Sequence, residues 1–60
     1  MFFIPSKRDI LAYDTNMKPF GIIKKDETYP IAYDYGGSLL YVIFSDRVGF
    51  VKKNEVEIVG

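Results

Sequence analysis

From Tyr29 to Val51 the chain passes through two apolar runs, split by Tyr35-Gly36-Gly37-Ser38 and closed by Val48-Gly49-Phe50-Val51. Apolar residues in period-two patterns, broken by turns about every ten residues, restrict a chain to short antiparallel strands. No segment sustains helical spacing over ten residues. The expected fold is all-β, a small antiparallel barrel or roll of five to six short strands. The 60 residues allow one domain, and the absence of cysteine rules out disulfide staples. Apolar burial must then supply nearly all the stability, and a composition 48% hydrophobic and 17% aromatic can furnish the core.

Ile10-Leu11-Ala12-Tyr13 reads as the first strand of the barrel, followed by an Asp, Asn and Pro-containing loop over 14–19. Phe20-Gly21-Ile22-Ile23 is the next strand, its Gly21 marking a bulge or a close backbone approach. A charged turn at 24–27 leads into 28–35, where Tyr29, Ile31, Tyr33 and Tyr35 fall on one face and Thr28, Pro30, Ala32 and Asp34 on the other. Gly36-Gly37 supplies positive φ angles for a tight reversal. The strand Leu39–Phe44 is apolar on both faces, with Leu40, Val42 and Phe44 opposed to Leu39, Tyr41 and Ile43. A strand buried on one side only alternates with polar residues, so the second face must be covered or must bind something. Ser45-Asp46-Arg47 is the next turn, 48–51 a strand, 52–55 a helical turn or tight loop, and 56–59 the closing strand. The triplet Ala12-Tyr13-Asp14 recurs as Ala32-Tyr33-Asp34, but one shared triplet does not make a repeat architecture.

The amino-terminal residues 1–9 form a separate segment before a barrel spanning 10–60. Their Met1-Phe2-Phe3-Ile4 is apolar but is cut off by Pro5, too short for a signal-peptide core or a membrane span. Such a segment can act as a covering strand, in the same chain or in a second copy, with Phe2 and Phe3 laid over the face that carries Leu39, Tyr41 and Ile43. Burying three large side chains there is worth roughly 5 kcal/mol before ordering costs.

Charge narrows the partners. Eight basic residues balance eight acidic ones, interspersed as in Lys24-Lys25-Asp26-Glu27, so there is no basic stripe for nucleic acid or an anionic membrane. Neither partner is expected.

Chemistry is narrowed further. Without His or Cys the chain lacks the usual neutral-pH base, the thiol nucleophile and most transition-metal ligands. Ser6, Ser38 and Ser45 fall in turns, and the carboxylates sit in turns beside Lys or Arg, where solvation explains them. Asp14-Thr15-Asn16 starts like a calcium loop but lacks its later acidic positions and glycine. Gly36-Gly37 leads into a strand and so cannot be a phosphate loop. The expectation is a non-catalytic module that uses no cofactor and no metal.

Tyrosines remain. A ring with a flat apolar face and a hydroxyl suits glycans and short peptides. Tyr33, Tyr35, Tyr41 and Phe50 are the candidate groove, with Tyr13, Asp14 and Asn16 as its polar wall.

The ordered set Phe20-Gly21-Ile22-Ile23-Lys24-Lys25-Asp26, Tyr29-Pro30-Ile31, Tyr35-Gly36, Leu40-Tyr41-Val42, Val48-Gly49-Phe50-Val51-Lys52-Lys53 and Val56 resembles bacterial SH3-like domains. The resemblance spans roughly residues 10–59. Many members carry Trp where this chain has Leu39, and Trp or Tyr where it has Phe50. The resemblance implies an SH3-like barrel that targets peptidoglycan or its cross-bridge peptides, extracellular or in the cell wall when part of a secreted enzyme. The alternative is a structural domain whose apolar faces pack on a neighbouring domain or in a homodimer. Ile31-Ala32-Tyr33-Asp34-Tyr35 mimics the Ala-Leu-Tyr-Asp-Tyr motif of eukaryotic signalling SH3 domains. That motif lies near the start of its barrel, whereas only residues 36–60 follow it here.

Overall fold

Alternation and turn chemistry account for six of the seven strands, and the seventh is the amino-terminal segment. The computed structural model describes residues 1–60. In chain order the strands are β1 (Phe2–Pro5), β2 (Ile10–Tyr13), β3 (Pro19–Ile23), β4 (Tyr29–Tyr33), β5 (Leu39–Phe44), β6 (Arg47–Lys52) and β7 (Val56–Val59), with one 3-10 turn, Lys53–Glu55, before β7. All pairings are antiparallel, and one sheet runs β3-β2-β6-β5-β4-β1-β7. Strands from both halves of this order feed a single core of Phe3, Ile10, Ala12, Ile23, Leu40, Val42 and Val51. The sheet must therefore coil around that core as a roll. Its ladder ends in two edges, β3 and β7.

The register sorts the side chains. Along β5 and β6, Leu40 pairs with Val51 and Val42 with Gly49 on the core side. Leu39 with Lys52, Tyr41 with Phe50, and Ile43 with Val48 then fall on the outer side. The β5–β6 hairpin is tighter than the expected three-residue turn. Ser45 and Asp46 alone form it, with φ of 55° and 61°, the pattern of a two-residue type I′ turn, and Arg47 already belongs to β6 opposite Phe44. Only Gly36 of the glycine pair has a positive φ, 85°.

Two corrections concern β1 and β4. The amino-terminal segment does not cover the Leu39-Tyr41-Ile43 face. It pairs with β4 and β7 instead, Phe3 reaches the centre of the core at 0% exposure, and its ring lies 5.8 Å from that of Tyr29. Phe3 is thus a core residue, while Phe2, one residue away, points outward beside Val59 and Pro30. Residues 1–9 are built into the same packing unit as the rest. In β4, the four odd positions do not share a face: Ile31 pairs with Val42 but Tyr33 pairs with Tyr41, so two residues on β4 oppose one step on β5. This bulge turns the strand over between them. Tyr29 and Ile31 pack against the core, and Tyr33 emerges on the outer side.

Gly21 marks a close approach. A Cβ there would strike the ring of Phe44, which packs between Phe20 and Tyr29. The register also slips beside it, since Ala12 pairs with Gly21 but Tyr13 with Pro19.

Candidate functional site

The outer face of β4, β5, β6 and β2 carries a continuous aromatic stripe. The β4 bulge brings Tyr33 onto it, the loop after β4 adds Tyr35, and the β5–β6 and β6–β2 registers align Tyr41, Phe50 and Tyr13. Ring centroids follow one another at 4.7 Å (Tyr33 to Tyr35), 6.1 Å (Tyr35 to Tyr41) and 5.0 Å (Tyr41 to Phe50). Such spacings are those of interacting aromatic pairs. Tyr33 and Tyr35 are 59% and 65% exposed, while Tyr41, Phe50 and Tyr13 are half-buried. The ammonium of Lys52 lies 5.6 Å above the Tyr13 ring, within the range of a cation–π contact.

Polar groups fix both ends. Asp34, between Tyr33 and Tyr35, accepts from the Gly36 N–H at 2.8 Å and from Lys53 Nζ at 2.6 Å. Lys53, and then the Gly36 N–H, hold its carboxyl below its ordinary range. These bonds lock the tyrosine-bearing loop to the 3-10 turn, and Lys53 N–H adds a bond to the Ser38 carbonyl at 2.8 Å. At the other end Asp14 Oδ1 accepts from the N–H groups of Asn16 and Lys18, both at 2.9 Å. The Lys18 amide leads the causes that lower its pKa. That carboxylate shapes its own loop, an Asx-type turn, so Asp14 and Asn16 flank Tyr13 while the Asp14 oxygen is already engaged.

A cleft of about 490 Å³ opens beside the stripe, lined by Gly37, Ser38, Leu39, Lys52, Lys53 and Asn54. Leu39 and Lys52 belong to it because they are opposed in register on the outer face. The sequence reading assigned Leu39 to an interface and passed over Lys52, Ser38 and Asn54. Their meeting depends on pairing β5 with β6, which sets Leu39 opposite Lys52 and brings the Lys53 N–H to the Ser38 carbonyl. Ile43 and Val48 extend the outer face toward the hairpin, and Leu11 opposite Ile22 extends it on β2 and β3. A second cleft, about 430 Å³ and mostly polar, lies between Ser6, Lys7 and Arg8 and the strip Asn54, Glu55 and Glu57. It contains none of the aromatic residues.

The stripe offers flat apolar rings, hydroxyls and one ammonium at the surface. Such a set can stack on a sugar face or a peptide plane and hydrogen-bond its rim. Comparison with known proteins finds no matching family model, no matching curated protein and no matching solved structure.

Proposed function

We propose that the chain is a non-catalytic SH3-like binding module that holds an extended peptide or glycan across the aromatic stripe. Peptidoglycan or its cross-bridge peptides are the ligand class implied by the sequence resemblance, and a cell-wall or extracellular setting goes with it. The observation that carries the reading is the exposure of Tyr33 and Tyr35 in line with Tyr41 and Phe50. Large rings contribute most when buried, so leaving them in water and in register favours a surface kept for a ligand. The order of elements agrees with an SH3-like roll: the β4–β5–β6 meander, a 3-10 turn, then a last strand pairing back on the first.

A second reading draws on the aliphatic flank. Leu11, Ile22, Ile43 and Val48 are also exposed on the outer side, and a neighbouring domain or a second copy packed there would cover them. Sedimentation equilibrium tests the second-copy form of this reading, which expects the isolated chain to associate as its concentration rises.

The direct test is co-sedimentation with purified peptidoglycan. The wild-type chain is expected in the pellet, and Tyr33→Ala with Tyr35→Ala is expected to weaken binding about tenfold, because each aromatic contact is worth about 0.5–1.5 kcal/mol. Both positions are exposed, so the variant keeps its fold. A wild-type chain that stays in the supernatant with every wall preparation removes the wall as ligand.

A further inference from the structure

The acids and bases around the stripe are unequally engaged. Both carboxylates beside it are satisfied within the chain, Asp34 by Lys53 and the Gly36 N–H, Asp14 by the N–H groups of its own loop. The cation on the stripe itself is Lys52. It is exposed, faces outward opposite Leu39, lines the cleft, and has no carboxylate partner, its neighbour being the Tyr13 ring. Its two companions on the same face of β6 are Phe50 and Val48. An ammonium at the rim of an aromatic surface, next to a cleft whose own anions are already engaged, is complementary to a negative charge brought by a ligand.

We infer that the ligand of the stripe is anionic: it carries a carboxylate that Lys52 binds, with an apolar or ring group stacked on Tyr41 and Phe50. The inference rests on the stripe being the recognition surface and names the class of molecule it takes. The spacing is set by the strand. Phe50 and Lys52 are two residues apart on one face, so carboxylate and stacked group are separated by about 7 Å. Leu39 supplies the apolar floor beneath the charged end, while Lys53 stays paired with Asp34. A peptide carboxylate and a sugar acid share this chemistry.

Amide chemical-shift titrations on the full chain test it with two matched pairs of probes. One pair is N-acetyl-trialanine as the free acid and as the carboxamide; the other is a trisaccharide ending in a sugar acid and its neutral parent. The acid of at least one pair is expected to bind about fivefold more tightly than its neutral partner, the scale of one exposed charge pair, and to shift Leu39, Phe50 and Lys52. Which pair shows the preference identifies the source of the carboxylate. Lys52→Ala is expected to abolish the preference and Lys52→Arg to keep it. Raising the salt from about 0.01 M to 0.15 M is expected to shrink it as the Debye length falls from about 30 Å to 8 Å. Equal binding of acid and neutral probes on the stripe overturns the inference and leaves the stripe as the recognition surface. A preference that survives Lys52→Ala, or acid binding centred on the Ser6–Arg8 cleft, also overturns it. If no probe moves any signal the inference fails, and peptidoglycan co-sedimentation then decides by itself whether the recognition reading stands.

Discussion

Gly49 shows how closely this roll is built at the level of single atoms. It is buried opposite Val42, and a Cβ added there would lie 2.6 Å from the Phe20 ring and 2.9 Å from the Tyr13 carbonyl oxygen. The first obstacle is a side chain, but the second is backbone and cannot swing aside. Tyr13 and Phe50 form the registered pair between β2 and β6, so pushing that carbonyl away pulls the stripe apart. At Gly21 a methyl meets only the Phe44 ring. Gly49→Ala is therefore expected to cost about 3 kcal/mol and Gly21→Ala about 1–2 kcal/mol, within the range for overpacking. Urea unfolding measures both, and a Gly49→Ala variant within about 0.5 kcal/mol of wild type would refute the close approach. The sequence pointed to Gly21 because a glycine interrupts an apolar strand. It gave no comparable hint at Gly49, whose constraint comes from the Tyr13 carbonyl and the Phe20 ring, 36 and 29 residues away in the chain.

Among the elements, β1 carries more than its position in the chain advertises. Four residues ending in Pro5 read as a loose end, and only the apolar character of Phe2-Phe3-Ile4 marked them as a strand in search of a partner. The partner differed from the expected one because β1 inserts between β4 and β7, where alternation sends Phe3 into the core and Phe2 outward. A domain of this size has about 3–9 kcal/mol of stability in all, and truncating a buried Phe costs about 3–5 kcal/mol. Phe3→Ala is accordingly expected to remove about 3–5 kcal/mol, roughly half of the total or more, while Phe2→Ala changes stability by less than about 1 kcal/mol. Near-ultraviolet circular dichroism distinguishes them, and similar effects at the two positions would contradict the inserted strand. The strands from β2 to β7 were readable from alternation and turn residues. The β4 bulge was not, because it adds a residue without disturbing the apolar pattern, and it separates Tyr29 from Tyr33. The tight Ser45-Asp46 hairpin lacked a glycine to announce it.

On the scale of the whole molecule, one face of the roll is spent on stability and the other is left apolar in water. Tyr13, Tyr33, Tyr35, Tyr41 and Phe50 were identifiable as a group from residue type and alternation, and they do converge on the outer face. The cleft beside them, with Lys52 opposite Leu39, emerges only once β5 and β6 are paired. Equal numbers of acidic and basic residues gave no sign that Lys52 would stand on this face without a carboxylate partner, Asp34 being paired with Lys53 and Asp14 bonded within its own loop. Backbone amide shifts recorded while soluble peptidoglycan fragments are added locate the binding surface residue by residue. The expected changes cluster at Tyr33, Tyr35, Tyr41, Phe50 and Lys52 and fade toward β7; changes centred on the Ser6, Glu55 and Glu57 cleft, with the stripe unmoved, would contradict the aromatic face as the recognition surface.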